Sequence, residues 1–319
     1  SALRAREDDM RSAVARAREL GGLEEGPLPD GFASLGSSLA VLHTTFAWGD
    51  VSAILEHGEQ SAELEGPDSP WRPVITWALG WGHYCNDDLA RAEHWLTETM
   101  TSAPKCDQWI VAVAAVADLS LIAGLRGRRA EQMRLSTQAV DLARERGLLD
   151  AVEVGEVHTA HGVALTAHGR PAEALPELER GVFLRRLWGQ PLDLIDGLIA
   201  LAATIAALGD REHAAQVLGE AETILASCPD GGALPERLAA GKRAIGLGKS
   251  TTAAPRTELS ERELTVLRLL SGGLSEREIG RELYVSFNTV HSHVKSIYRK
   301  LGVSSRSEAV ARAREAEIT

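Results

Sequence analysis

The chain has 319 residues, of which 44% are hydrophobic and 25% charged, a composition that fits a soluble protein of two or more domains. No apolar run approaches the ~18 residues of a membrane span, and residues 1–20 alternate charge with Ala and Leu rather than forming a signal peptide. Three scattered cysteines without Cys-x-x-Cys spacing exclude an encoded disulfide framework or cysteine zinc site, and they favour a reducing, cytoplasmic environment.

The net charge is unevenly distributed along the chain. Residues 258–319 contain ten Lys and Arg against nine Asp and Glu, a net of +1, whereas the whole chain carries −11 and residues 1–257 therefore carry −12. Such an acidic body argues against broad, nonspecific binding of nucleic acid by the whole protein. Any DNA contact is expected on one small surface of the C-terminal region.

Residues 1–247 are predicted to form helix after helix, because Ala, Leu, Glu and Arg dominate and alternating strand patterns do not occur. Short helix-breaking turns recur 38, 40, 42 and 40 residues apart. They are Gly49-Asp50, Asp87-Asp88, Gly127-Arg128, Gly169-Arg170 and Gly209-Asp210. Small residues such as Gly80 and Gly162 lie seven positions before a turn, where two helices must approach closely, and Leu96 and Leu178 lie nine positions after one. The pattern resembles a degenerate tetratricopeptide repeat and predicts an all-α helical solenoid.

A capping helix is expected at each end of this solenoid, formed by residues 1–20 at the N-terminal end and by residues 234–247 at the C-terminal end. Residues 248–257 are rich in small residues and lack an apolar anchor, which predicts a flexible linker. The segment 246–250, Gly-Leu-Gly-Lys-Ser, also suggests a phosphate-binding loop. However, Arg243 stands where that motif requires its first Gly and no strand precedes it, so a linker is favoured.

Aromatic residues are concentrated in the second repeat, where Trp77 and Trp81 are one helical turn apart. In the tetratricopeptide register these positions face the concave groove. The predicted groove residues are His43, Phe46, Trp77, Trp81, Tyr84 and Leu121. Together they would form an apolar, aromatic-rich groove for a small molecule or a protein ligand. The alternative is that the helix phase has drifted in this degenerate repeat and the Trp residues belong to the core.

Catalytic and metal sites are not predicted. His158, His161 and His168 are close in sequence, but no Asp, Glu or Cys in the adjoining turns completes a ligand set. No Ser/His/Asp order or carboxylate pair has a context that supports catalysis, so neither an enzymatic activity nor a cofactor is expected.

Residues 258–319 predict a four-helix domain, because helix N-terminal caps recur at short intervals. The predicted caps are Ser260, Ser275, Ser286 and Ser305, and a Glu follows three residues after the first, second and fourth of them. The third helix runs to about Leu301. Its apolar residues, spaced four, three and four apart, form one buried stripe of Val290, Val294, Ile297 and Leu301.

The opposite face of the third helix carries hydrogen-bonding residues, and no Asp or Glu occurs between residues 286 and 301. A short helix, a tight turn and such an acid-free helix are typical of docking into the DNA major groove. The predicted DNA-binding residues are Ser286, Asn288, Thr289, His291, Ser292, Lys295 and Arg299. The alternative is a protein-interaction module whose third helix is a solvated basic face.

Five motifs in this region resemble the LuxR-type helix-turn-helix domain. They are Leu259-Ser-x-Arg-Glu263, Gly273-Leu-Ser-x-x-Glu-Ile279, Leu283-x-Val-Ser286, Thr289-Val-x-x-His293 and Ile297-Tyr-x-Lys-Leu-Gly-Val303. The resemblance implies that the third helix reads the major groove, with His291, Ser292 and Lys295 facing bases and Thr289 holding phosphates. It also implies that the fourth helix helps to form a dimer, for which the candidate contacts are Ala309, Val310 and Ala313. His291 departs from the Lys that is usual at its position.

A repeat solenoid followed by a LuxR-type domain resembles the C-terminal part of the large ATP-binding, maltotriose-activator-like regulators. The resemblance implies a bacterial, cytoplasmic, homodimeric regulator that binds double-stranded DNA, with the repeats sensing a small-molecule or protein signal. The alternative is a scaffold or adaptor that acts mainly through protein–protein binding.

Overall fold

A computed structural model describes residues 16, 27–45, 47, 49–246, 259–283, 285, 287–301, 303 and 305–315. The chain separates into two compact units, residues 1–248 and 249–319. The helices described in the first unit are α1 (Leu35–Thr45), α2 (Val51–Leu64), α3 (Arg72–Cys85), α4 (Leu89–Ser102), α5 (Trp109–Leu125), α6 (Arg129–Glu145), α7 (Gly155–Ala167), α8 (Pro171–Trp188), α9 (Pro191–Ala207), α10 (Arg211–Leu225) and α11 (Leu234–Ala244). Short 3₁₀-helices at Ala103–Cys106 and Val152–Val154 precede α5 and α7.

The five turns predicted from sequence join α1 to α2, α3 to α4, α5 to α6, α7 to α8 and α9 to α10, so the expected helix pairs are confirmed. Each turn contains one residue in the left-handed backbone conformation, with φ between 61° and 97°. These residues are Gly49, Asp87, Gly127, Gly169 and Gly209. In three of the pairs an Asp of the turn also caps the second helix by accepting a backbone N–H.

Close packing within the pairs explains the predicted small residues. A Cβ atom added to Gly80 would lie 2.5 Å from Cγ of Leu96, and one added to Gly162 would lie 2.5 Å from Cγ of Leu178. Both leucines are fully buried. The glycine and the leucine of the repeat pattern are therefore the two sides of a single helix–helix contact.

The last part of the solenoid returns to the first part, which the repeat pattern did not predict. Asp230 donates its backbone N–H to Gly49 and accepts the N–H of Val51, at 3.0 and 2.9 Å. Its carboxylate also accepts the Ser52 hydroxyl. Residues 49–52 thus pair with Asp230, about 180 positions later in the chain, and this contact closes the helical array.

The capping helix predicted for the C-terminal end is present as α11. The N-terminal capping helix predicted over residues 1–20 and the linker predicted over 248–257 lie outside the described residues, apart from Arg16, which is helical. Within the described ranges no helix is long and apolar enough to cross a membrane.

The second unit contains α12 (Glu261–Ser271), α13 (Glu276–Glu282), α14 (Phe287–Leu301) and α15 (Arg306–Glu315), which confirms the predicted four helices. Ser260 and Ser275 form complete capping boxes with the Glu residues three positions later. Ser305 accepts the N–H of Glu308 at 3.3 Å and so begins α15. The cap predicted at Ser286 lies outside the described residues.

Candidate DNA-binding surface and solenoid interior

Helix α14 is held by an apolar stripe on one face, as its spacing predicted. Val290, Val294 and Ile297 are buried against α12, α13 and α15, and Leu301 is half-buried at the edge of this core. The face opposite the stripe is thereby directed away from the domain core. This arrangement leaves one side of an acid-free helix available to a partner.

A polar contact missed by the sequence reading also positions α14. Glu263 of α12, beyond its role in the capping box, accepts Lys300 Nζ and the Ser296 hydroxyl, each at 2.7 Å. Burial raises the pKa of Glu263, but the hydrogen bonds from Lys300, Ser260 and Ser296 outweigh it and leave that pKa below its ordinary value. The carboxylate is therefore charged at neutral pH and ties the two helices together. The Ser-x-x-Glu motif indicated the cap but gave no sign of the contact 37 residues away.

The predicted DNA-binding residues are described unequally. The Lys295 side chain is exposed, whereas Thr289 and His291 are half-buried. Ser286 and the side chains of Asn288, Ser292 and Arg299 lie outside what the structure describes. Among the predicted DNA-binding residues whose side chains the structure describes, Lys295 is therefore the exposed cation. The DNA-binding roles of all seven residues stay predictions.

His291 has a protein partner on the preceding helix. Its Nδ1 lies 2.8 Å from Oε2 of Glu276, in the first turn of α13. The pair connects the two helices of the helix-turn-helix. The imidazole is thus oriented by a carboxylate, a constraint that an unpaired base-reading residue would not have.

The prediction that Ala309 and Ala313 contact a second protomer is wrong. Both side chains are 0% exposed and belong to the core between α15 and the other three helices. A fully buried methyl group cannot meet another subunit without unfolding the domain. Val310 is half-buried, and its part in a dimer contact stays a prediction.

The groove residues predicted on α3 and α5 do not form an open wall. Trp81, Tyr84 and Leu121 are buried in the main hydrophobic core of the solenoid, with the Trp81 and Tyr84 rings stacked 5.1 Å apart. The alternative of core packing therefore holds for these three, because closure of the array covers its inner face. Trp77 is half-buried at the edge of that core, and His43 is half-buried with its ring 4.7 Å from that of His57. Phe46 lies outside the described residues.

The inner face instead gathers charged residues, which the sequence reading missed. The first helices of successive pairs contribute carboxylates, and α8 and α11 contribute guanidinium groups. The six residues are Asp118, Glu156, Asp193, Asp196, Arg185 and Arg237; we call them the interior charge cluster. A usable signal was the lone Asp118 in α5 and the two Asp residues in α9, since these helices are otherwise without charge.

Two members of the interior charge cluster are well paired. Asp196 accepts the Tyr84 hydroxyl at 3.1 Å and lies 3.5 Å from a guanidinium nitrogen of Arg237. Arg237 also covers the Tyr84 ring at 4.2 Å and donates to the Tyr84 backbone carbonyl at 2.7 Å. This part of the cluster joins α3, α9 and α11.

The remaining acids are poorly compensated. Burial raises the pKa of Asp118 well above its ordinary value, and the nearby charge of Glu156 raises it further. Burial likewise raises the pKa of Glu156 to about 8 and that of Asp193 to about 6, although the positive charge of Arg185 opposes both shifts. Near neutral pH the cluster therefore retains protons. In the part of the chain that the structure describes, no group of three His, Cys, Asp or Glu residues could hold a metal ion.

Comparison with known proteins agrees with both units. Residues 257–313 match the GerE family, described as bacterial regulatory proteins of the luxR family. The C-terminal unit is thus a LuxR-type helix-turn-helix domain, the DNA-binding domain of such transcriptional regulators, and it follows a tetratricopeptide-like helical repeat.

Two curated relatives illustrate the sequence similarity. The probable transcriptional regulator GfsR of Streptomyces halstedii is 38% identical over 89 residues, which are 27% of this chain and 36% of GfsR. The transcriptional regulator MalT of Serratia proteamaculans is 42% identical over 57 residues, which are 18% of this chain and 6% of MalT. The chain thus matches about a third or less of the length of these relatives.

A solved structure resembles the fold over a longer stretch. The crystal structure of a Rap protein complexed with Competence and Sporulation Factor has a TM-score of 0.53 at 12% sequence identity. The match covers 87% of this chain and 76% of the Rap chain. At this identity the likeness concerns the helical fold.

Proposed function

We propose that this protein is a transcription regulator that binds specific DNA sequences through α14 and senses a small-molecule or protein signal through its helical repeats. The observation that carries the proposal is the acid-free α14, packed by one apolar face and presenting Lys295 to solvent within a segment that matches the luxR family. A cation on such a helix pairs with phosphates or with guanine edges in the major groove. No enzymatic step is part of this function.

We further propose that the regulator acts in the bacterial cytoplasm as a homodimer on an inverted-repeat site. One domain places one recognition helix in one major groove, and an acidic body adds no general attraction to DNA. Affinity would then depend on two domains binding together. The described candidate for a dimer contact is Val310 on α15.

The test begins with selection of genomic DNA fragments bound by the full-length protein, since the sequence of the recovered sites and their symmetry report on specificity and dimerisation. Affinity for a recovered site is then measured by fluorescence anisotropy for the parent protein and for Lys295→Ala. We expect the substitution to weaken binding by about fivefold to 150-fold, which corresponds to a lost contact of ~1–3 kcal/mol.

The matched control is Arg134→Ala, which removes one exposed cation from α6 of the repeats and is expected to leave DNA affinity unchanged. Recovery of no common sequence, together with equal affinities of the parent and Lys295→Ala for the same duplex DNA, would instead favour a scaffold or adaptor.

A further inference from the structure

The interior charge cluster contains polar atoms without partners. Asp118 Oδ1 and Glu156 Oε1 are buried acceptors, and Arg185 Nε and Nη2 are buried donors, none of which has a hydrogen-bond partner among the residues that the structure describes. Each of the three residues is more than nine-tenths buried. Leaving such groups unsatisfied costs about 1–3 kcal/mol each, and more when they are charged, so their coincidence in one place needs an explanation.

The donors of Arg185 have a specific shape. Nη1 donates to the backbone carbonyl of Asp193, which fixes the orientation of the guanidinium plane. The two atoms left over, Nε and Nη2, form one side edge of the guanidinium group, which is the edge that binds a carboxylate through two parallel hydrogen bonds. Gly155 and Gly197 lie against this side chain and leave it the room to reach inwards.

The two unpaired acceptors, on Asp118 and Glu156, are also positioned by the surrounding structure. Trp77 donates Nε1 to Oδ2 of Asp118 at 3.0 Å, so that carboxylate presents its other oxygen to the cluster. Glu156 stands in the first turn of α7, directly after Gly155, which packs against Arg185, and α7 contacts α5, which carries Asp118. Two carboxylate oxygens from neighbouring helices are therefore available to one cationic group. Because Trp77 is only half-buried, this end of the cluster reaches the edge of the core.

We propose that Asp118, Glu156 and Arg185 form a binding site for a free α-amino acid, whose ammonium group binds the two carboxylates and whose carboxylate binds the Arg185 edge. An α-amino acid carries both groups on one carbon atom, and it satisfies the orphaned acceptors and the orphaned donors together. A simple amine would leave the guanidinium edge unpaired, and a simple carboxylic acid would leave the two acidic side chains unpaired. This inference rests on the proposed function, because it names the chemical class of the signal.

The charge balance of the cluster supports the assignment. With Asp196 neutralised by Arg237, three acids face Arg185 alone, and two of them keep a proton near neutral pH because burial raises their pKa values. An ammonium group between Asp118 and Glu156 supplies one positive charge and therefore replaces one of those two protons. The incoming carboxylate takes the side of Arg185 that no carboxylate of the cluster contacts.

The experiment uses the full chain and follows thermal unfolding by tryptophan fluorescence. All seven Trp residues precede residue 247, so the signal reports on the repeats alone. The twenty standard L-amino acids are tested singly at about 10 mM, and any that raises the Tm is compared with its own amide and its own N-acetyl derivative. We expect at least one amino acid to raise the Tm by about 2 °C or more, as binding to the folded state requires, and both derivatives to fail.

Substitutions then place the site. Glu156→Gln removes the carboxyl group that can ionise to bind the ammonium group, with little change of shape, and is expected to abolish the shift; Asp118→Asn is expected to do the same. The matched control is Glu177→Gln on α8. The Glu177 carboxylate binds His158 outside the cluster, so this variant should show the full Tm shift.

Three results would overturn the inference: no amino acid raises the Tm, an amide or N-acetyl derivative raises it equally, or Glu156→Gln retains the shift. DNA binding is measured on the same preparation without added amino acid. If the protein binds its DNA site but no amino acid shifts the Tm, the proposed function stands and the amino-acid site is wrong. If an amino acid shifts the Tm but the protein binds no specific DNA, the amino-acid site stands and the proposed function is wrong.

Discussion

Tyr84 donates its hydroxyl to Asp196, which lies 112 residues further along the chain, with a separation of 3.1 Å between Oη and Oδ1. Both side chains are buried. Burial raises the pKa of Tyr84 well above its ordinary value, so the phenol stays protonated and acts as the donor. The bond connects the second helix pair to the fifth. It belongs to the set of contacts that turn a row of helix pairs into a closed array.

Replacement of this donor tests how much the closure contributes to stability. Tyr84→Phe removes one buried hydrogen bond to a carboxylate and leaves the ring in place beneath Arg237, so we expect a loss of about 1.5–3 kcal/mol in the free energy of unfolding. The measurement is urea unfolding of the repeats by tryptophan fluorescence. Tyr298→Phe in the second unit is the control and should not move that transition; an unchanged midpoint for Tyr84→Phe would show that closure does not depend on this bond.

Glycine substitutions separate close packing from helix propensity. Gly162→Ala brings a Cβ to 2.5 Å from Leu178 Cγ, whereas a Cβ on Gly219 of α10 meets nothing within 4 Å. We expect Gly162→Ala to destabilise the repeats by about 1–3 kcal/mol through overpacking. Gly219→Ala should stabilise them by up to about 1 kcal/mol, since Ala is the better helix former. Equal effects of the two substitutions in urea unfolding would contradict the contact.

The stability of the repeats should fall as the pH rises from about 5 to about 8. Glu156 has a pKa raised by burial from 4.5 to about 8, so the folded state holds a proton that the unfolded chain releases above its own pKa. Asp193, raised from 3.8 to about 6, acts in the same direction over a lower range. The charged and titratable groups that face Glu156 are Arg185, Asp193, Asp118 and His158. Over this pH range the free energy of unfolding should fall by on the order of a few kcal/mol.

Glu156→Gln provides the check on that pH dependence. A neutral amide has no proton to lose, so urea midpoints of this variant should change less between about pH 5.5 and 8.5 than those of the parent. A variant with the same slope as the parent would assign the pH dependence to other groups.

The contact between Lys300 and Glu263 should control the order of the recognition helix. Lys300→Met removes the cation and leaves a buried carboxylate with fewer partners, which destabilises a domain by about 3–5 kcal/mol. We expect amide hydrogen exchange in α12 and α14 of the full chain to accelerate at least tenfold. Lys295→Met removes an exposed cation from the same helix and should leave exchange unchanged while weakening DNA binding. Similar exchange in both variants would exclude a positioning role for Lys300.

Local features of this fold were predictable because each depends on neighbours in sequence. The left-handed turn residues, the capping boxes at Ser260 and Ser275 and the stripe through Val290 follow from backbone geometry and helical spacing. The glycine–leucine contacts were predictable for the same reason, since a period near 40 residues repeats one packing arrangement.

The features that the sequence could not reveal depend on long-range contacts. Whether Trp81 faces an open groove or a core is decided by the return of residues near Asp230 to the first helix pair, and no local pattern encodes that return. The burial of Ala309 and Ala313 likewise depends on how α15 packs on the other helices, because small residues suit a domain core as well as a subunit contact. The Glu263–Lys300 contact is a further case of this kind.

The closure at Asp230 limits how this architecture can change during evolution. An open row of repeats can gain or lose a unit at little cost, because each unit contacts only its neighbours. Here the backbone of residues 49–51 pairs with Asp230, and that pairing has one geometry. Insertion or deletion of a helix pair would move these two segments apart, so we expect the number of repeats in this unit to be constrained by the pairing.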